Sequence, residues 1–480
     1  MRQVVAVVAT LLACHGPTLA QSSPPSRELA EAAAAYAAKV AASALFVSGR
    51  SLDSVLAEEL APTRPLERLI RPLLRFTVDQ ERGEVRCQLG AVTATAVRTG
   101  NLGCTLLRAE ASKDSLRARV AAPGPSLAAD RDTMPWPLGE GVPAAPATDI
   151  DHAALAATLE LAFAEPAERA IHTRAIVVVH RGRLVAERYA AGYRANMPLP
   201  GWSMSKTWTH ALLGVRVQQG KLDLAATLPV PEWAAQGDRR QTLRAHDLLT
   251  MTAGLQWNED YDDPRSDALR MLFGSGDHAA VFATQPIVTP PGQAFVYSSG
   301  ATNLLCRVLR TTFADDREYW AFPREHLFAR LGMHTAVLET DPSGTFVGSS
   351  YGFASARDWA RFGMLYADDG RFAGEQVLPP GWVATARVAS AASLGRYGHH
   401  VWLDADPDGD GPRQREWPEL PDDLLRMDGH EGQAVVVSPQ HQLVVVRLGC
   451  TKNGGFDLRG LVRGALAAVQ PATPVAPSHR

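Results

Sequence analysis

The chain has 480 residues, 46% of them hydrophobic, with a formal net charge of -3. That is the balance of a soluble globular protein of two or three domains, and it gives no electrostatic case for a nucleic-acid partner. After the N-terminus no apolar run is expected to be long enough to span a bilayer.

Arg2 and the apolar run from Val4 to Ala13, closed by a Gly/Pro-containing break, read as a signal peptide over residues 1–20. Thr18-Leu19-Ala20 suits cleavage before Gln21, and Leu11-Leu12-Ala13-Cys14 also suits lipidation of Cys14, so the protein is expected to be exported, periplasmic or secreted, by either route. Export permits disulfides among Cys87, Cys104, Cys306 and Cys450. Cys87 with Cys104 is the favoured pair, and four free buried thiols are the alternative.

Residues 27–46 are Ala-rich with helical spacing, and 51–60 continue as a second helix. Alternation then marks strands near 76–78, 85–89, 92–97 and 104–107, so residues 21–120 form a small α+β extension without a chemical motif of its own. Residues 121–150 are rich in Pro, Gly and Ala and read as a linker or strap, docked through Trp136. The main domain spans 151–470. It opens with a helix from His152 and a hairpin of Ala175–Val179 and Leu184–Tyr189, and after a long helical stretch it returns to strands at Ala434–Val437 and Leu443–Leu448. A helix over 457–469 closes it, and 471–480 is a loose tail. Strands at both ends of a helical insertion predict an α+β domain whose first and last hairpins share one antiparallel sheet.

The chemistry centres on Trp202-Ser203-Met204-Ser205-Lys206-Thr207, read as a helix start. Ser203 and Lys206 stand at i and i+3, on one side of a helix. Serine becomes a nucleophile when a base takes its proton, and a desolvated lysine can be that base. Only five of the 48 basic residues are lysine, so a Lys beside this Ser suggests a need for an amine that can lose its proton, which Arg cannot. Tyr297-Ser298-Ser299, on a tight turn, offers a proton relay from Ser203 to a leaving group. His430-Glu431-Gly432-Gln433 leads into a core strand, where Gly432 lets substrate approach the backbone, and the N–H groups of Ser203 and Gln433 could form an oxyanion hole.

Taken together and in this order, Ser203-x-x-Lys206, Tyr297-Ser298-Ser299 and His430-Glu431-Gly432 resemble the three motifs of class C β-lactamase-like serine hydrolases. The segments Asp247–Leu255, Asn258–Pro264 and Gly429–Gln433 resemble the 6-aminohexanoate-dimer hydrolase and esterase branch in particular. The resemblance covers about residues 170–465 and implies an antiparallel sheet flanked by helices plus an all-helical lobe, with the site between. It implies a covalent acyl-Ser203, a base role shared by Lys206 and Tyr297, a leaving-group role for Tyr261, substrate binding by His430, Gly432, Gln433 and Ser299, and no cofactor. Where β-lactamases have Lys-Thr-Gly and a terminal Asn, this chain has His430-Glu431-Gly432 and Ser299, which favours carboxylic esters or small linear amides over β-lactams.

Rival readings are a β-lactamase or D-alanyl-D-alanine peptidase, and a non-catalytic binding protein on the same scaffold. No zinc cluster is expected. Asp404–Gly411 begins like a calcium loop, but Arg415 occupies the position that should hold Glu, so a solvated acidic loop is the favoured reading and no metal is expected. Sequence gives no oligomeric state.

Overall fold

The computed structural model describes residues 26–120, 133–141, 147–166, 168, 170–405, 415–452 and 454–469. The leader and its cleavage or lipidation site, residues 121–132 and 142–146 of the Pro-rich segment, the acidic run 406–414 and the tail lie outside the described residues.

The N-terminal extension begins with α1 (Arg27–Phe46), capped by the Ser26 hydroxyl on Leu29 N–H. Two short helices follow, α2 (Leu52–Ala57) and α3 (Pro65–Ile70), the latter with Pro at its first position, where no N–H is needed. Strands β1 (Arg75–Asp79), β2 (Glu84–Leu89), β3 (Val92–Arg98) and β4 (Cys104–Leu106) form an antiparallel sheet in that order. α1 lies across it, and its small side chains (Ala34, Ala38, Ala41, Ala42) are fully buried there.

By length and composition α1 could cross a membrane, with a mean hydropathy of 1.3 over its best window, contrary to the sequence expectation. Its apolar surface is instead taken up by β2 and β3 and by Tyr351 and Phe273 of the main domain. The expected Cys87–Cys104 disulfide is absent: the four cysteines among the described residues are free and buried. β3 separates the two strands, Cys87 facing Ala94 and Cys104 facing Arg98, so the thiols are held apart by sheet register.

The main domain contains α4 (His152–Phe163) and a six-stranded antiparallel sheet. Its strands are β5 (Thr173–His180), β6 (Arg183–Tyr189), β7 (Trp402–Leu403), β8 (Leu425–Gly429), β9 (Gln433–Ser438) and β10 (Leu443–Gly449), in the order β7-β8-β9-β10-β5-β6. β10 pairs with β5 through Val444–Val179, Val445–Val178 and Val446–Val177, so the first and last hairpins do share one sheet. β5, β9 and β10 are buried along their whole length, as expected of strands covered on both faces.

Between the first and last hairpins the chain forms α5 (Ser205–Gln218), α6 (Ser299–Arg310) and α7 (Ala356–Ala367). α7 covers one face of the sheet, packed against β5, β9 and β10, and α4 with α8 (Leu458–Ala468) covers the other. β8 is not evident in sequence, because only Leu425 and Met427 of its five residues are large and apolar. Arg426 is nonetheless buried and held by Glu416 at 2.7 Å, whereas Asp428 is partly exposed. Trp136 is buried against this domain, its indole N–H donating to Gly182 O (2.9 Å) under the Arg361 guanidinium. Asp404 accepts from Arg415 (2.9 Å) and from the Trp417 N–H (2.9 Å). The flank of the acidic run is therefore closed by an ion pair, and no cluster of metal-ligating side chains exists among the described residues.

Extension and main domain share a core. Trp202, Met271, Phe273 and Tyr351 pack with the Ala face of α1. Around that core sits buried polar chemistry. Lys39 pairs with Glu339, which also accepts from Ser43 Oγ (2.9 Å) and from Cys104 N–H (2.7 Å). Arg174 of β5 reaches Glu58 (2.8 Å) and Glu59 (2.6 Å).

Candidate active site

Ser203 sits in a single tight turn, Trp202–Met204, that feeds directly into α5. Trp202 is held at φ +49°, a left-handed conformation that is strained for a bulky residue. The surroundings enforce it. Gly201 N–H donates to Gly352 O (2.8 Å), and a Cβ on Gly201 would lie 2.3 Å from Trp359. Ser205 Oγ ties Trp202 O (2.7 Å) to Gly352 N–H (2.9 Å). The turn leaves Ser203 half-exposed while Lys206, one turn on, is buried to 1% exposure.

Lys206 Nζ has three polar neighbours: Ser203 Oγ at 3.1 Å, Ser299 Oγ at 3.0 Å and Ser349 O at 3.1 Å. Burial lowers its pKa to about 8, and Glu259 pulls in the opposite direction. A neutral amine has two N–H bonds and one lone pair. The Ser349 carbonyl can only accept. The Ser299 hydroxyl gives its proton to Glu259, so toward Lys206 it also accepts. Both N–H groups are thereby used, and the lone pair is left for the Ser203 O–H.

Burial raises the pKa of Tyr297, and the nearby Ser203 hydroxyl offsets only part of that, so the phenol stays protonated. Its ring stacks on Trp402 (5.2 Å between centroids), meets Tyr397 edge-on (5.8 Å), and lies 4.8 Å from Lys206 Nζ.

The remaining predicted residues fall into two groups. Ser299 is fully buried and links Lys206 to Glu259, donating through both its N–H (2.9 Å) and its hydroxyl. Tyr261 donates to Glu259 (2.9 Å) and packs on the His430 ring at 5.3 Å, and His430 meets Trp202 edge-on at 5.7 Å. These rings border a cavity that Gly432 also lines. The Gly432 position has a steric cause beyond substrate access: φ is +83°, and a Cβ would come within 2.7 Å of Arg447, which donates to Gly432 O (2.9 Å). The Gln433 side chain is spent on structure, bonded to Gly449 O (2.7 Å) and Gly449 N–H (2.9 Å), which leaves only its backbone for a ligand.

Sequence reasoning singled out neither Glu259 nor the Ser349 carbonyl. Glu259 gathers four donors, from Trp257 Nε1, Tyr261 Oη and the N–H and hydroxyl of Ser299. No local pattern marked it: Glu259 lies in an irregular loop where Asn258 Oδ1 accepts from the Asp260 N–H (2.9 Å) and Asp260 Oδ1 from the Asp262 N–H (2.8 Å). Ser349 acts through its backbone, which no residue type announces.

Known proteins place this geometry in context. A 6-aminohexanoate-dimer hydrolase of Paenarthrobacter ureafaciens is 26% identical over 289 residues, 58% of this chain and 72% of that protein. A family VIII carboxylesterase superposes with a TM-score of 0.51 at 16% identity, covering 68% of this chain and 99% of that one. A penicillin-binding protein homolog from Caulobacter crescentus gives 0.50 at 16%, covering 68% and 99%. The model of the Beta-lactamase family matches residues 158–469, and the chain belongs to that family of hydrolases, with the β-lactamase and penicillin-binding-protein fold.

Proposed function

We propose that the protein is an exported serine hydrolase that cleaves carboxylic esters or small linear amides through a covalent acyl-Ser203 intermediate. The observation that carries this reading is the proton arrangement at Lys206: two acceptor-only neighbours, a lone pair left for Ser203, and a pKa lowered to about 8 by burial. Lys206 takes the Ser203 proton as Oγ attacks the carbonyl carbon. The N–H groups of Ser203 and Gln433 receive the negative oxygen. Tyr297, held as the neutral phenol, passes its proton to the departing alcohol or amine and is reprotonated by Lys206. Water then repeats the sequence on the acyl-enzyme.

Lys206 and Tyr297 therefore divide the work that the motif resemblance assigned to them jointly. The amine is the base, and the phenol is the acid. The relative from Paenarthrobacter ureafaciens supports amide substrates, the missing Lys-Thr-Gly motif weighs against β-lactams, and the apolar leader supports export.

The test is intact mass and peptide mapping after a fluorophosphonate probe. One adduct on Ser203, absent from Ser203→Ala, is the expected result. A folded protein that stays unmodified would refute the reading.

A further inference from the structure

Beside the nucleophile turn lies a cavity of about 520 Å³, the size of a small-molecule site and far beyond a packing defect. One wall belongs to the main domain: Trp202, Tyr261 and the His430–Gly432 turn. The other belongs wholly to the N-terminal extension, which lies outside the family match at 158–469. That wall is mainly apolar, with Ala33 and Tyr36 of α1, Leu60, and Ile70 and Leu74 at and beyond the end of α3.

Its charges are nearly all answered. Glu59 is held through Oε1 by Arg50 and Arg174, its Oε2 being buried without a hydrogen-bond partner, and Asp262 is held by Arg64. Glu67 accepts from the Thr63 and Arg64 N–H groups (2.8 and 3.1 Å) and faces Lys452, which donates to Ala61 O (2.8 Å). Glu431 accepts from the Cys450 thiol (3.2 Å) and lies 3.9 Å from His430. Arg71 is the exception. Among the described residues its guanidinium has no hydrogen-bond or ion-pair partner, and its Nε is buried without one. A cation beside an apolar wall, with every neighbouring carboxylate already engaged, is complementary to an anion carried on an apolar chain.

We propose that the N-terminal extension is the specificity wall of the hydrolase: it receives an apolar chain of the substrate, and Arg71 binds an anionic group on that chain. This rests on the serine-hydrolase reading and narrows its substrates to esters or amides bearing an aliphatic segment with a carboxylate or comparable anion. It also gives the extension a role that explains why it is clamped to the main domain rather than tethered.

The test is calorimetric binding of linear alkanoates, from butanoate to dodecanoate, to the full chain, with alkanols of equal length as neutral controls. Affinity is expected to rise about fourfold per methylene until the cavity is full, and each alkanoate to bind at least about tenfold more tightly than its alkanol. Arg71→Gln is expected to remove the preference for the anion while keeping the dependence on chain length. Ala33→Trp is expected to remove the dependence on chain length. Wild-type affinity independent of chain length, absence of binding, or an anion preference that survives in folded Arg71→Gln would overturn the proposal. Fluorophosphonate labelling of the same wild-type sample separates the two ideas. Labelled Ser203 with flat binding sinks only the specificity wall, whereas unlabelled Ser203 sinks the catalytic reading whatever the alkanoates do.

Discussion

Replacing Glu259 by Gln tests the electrostatics of the site without removing any group that touches the nucleophile. Glu259 opposes burial at Lys206 by favouring the protonated amine. The two charges are bridged by one hydroxyl, with Lys206 Nζ 3.0 Å from Ser299 Oγ and Ser299 Oγ bonded in turn to the carboxylate. Two hydrogen bonds in series set the charges roughly 5 Å apart. At an effective dielectric constant of about 20, the attraction is about 3 kcal/mol, or about two pH units in the amine's midpoint. The base works when neutral, so activity in the wild type should rise with pH through about 8 and level off above it. Losing the carboxylate removes a stabiliser of the charged amine, so the midpoint must fall, to about pH 6.

The plateau of Glu259→Gln should fall as well, by about tenfold. A Gln NH₂ facing Ser299 would turn that hydroxyl's proton toward Lys206 and occupy the lone pair that serves Ser203. The assay is kcat/KM against pH with a 4-nitrophenyl ester, for wild type and variant. A midpoint that moves up, or that stays within about half a pH unit of wild type, would refute the assignment of Lys206 as the base tuned by Glu259.

Lys206→Arg keeps the positive charge but cannot supply a lone pair, and kcat should drop about 10²–10⁴-fold with no recovery at high pH; stopped-flow acylation at pH 7 and 10 checks this. Tyr297→Phe should leave fluorophosphonate labelling of Ser203 intact and slow amide turnover about a hundredfold or more, while 4-nitrophenyl esters, whose leaving group needs little protonation, slow far less; the ratio of the two rates is the readout. Lys39→Met strands the buried Glu339 carboxylate and should destabilise the protein by about 3–5 kcal/mol; denaturant unfolding measures it, and adding Glu339→Gln should restore part of the loss.

Residues that do chemistry by type could be read from the chain, and residues that do chemistry by position could not. Ser203 and Lys206 are legible because an i, i+3 pair on a helix start meets through local geometry alone, and the structure brings them to 3.1 Å. The strands that build the sheet are legible for the same reason, since Val435–Val437 and Val444–Val446 declare burial without reference to the rest of the fold. β8 escaped because it is short and its Arg426 is buried against Glu416 from outside the strand, which no local pattern predicts. Glu259 escaped because an acidic residue in a polar loop looks like a solvated one until tertiary packing converges four donors on it. The extension shows the same division. Its α+β content follows from alternation and helical spacing, yet an Ala-rich helix does not say which surface it will cover. What fixes α1 beside the Ser203 turn is Lys39 meeting Glu339 across 300 residues of sequence. Burying that pair is expensive and gains little stability over an apolar pair. Its use here is registration, since Lys39, set among small buried residues on one face of α1, meets the buried Glu339 carboxylate, and the match puts Ala33 and Tyr36 on the wall of the cavity beside Ser203.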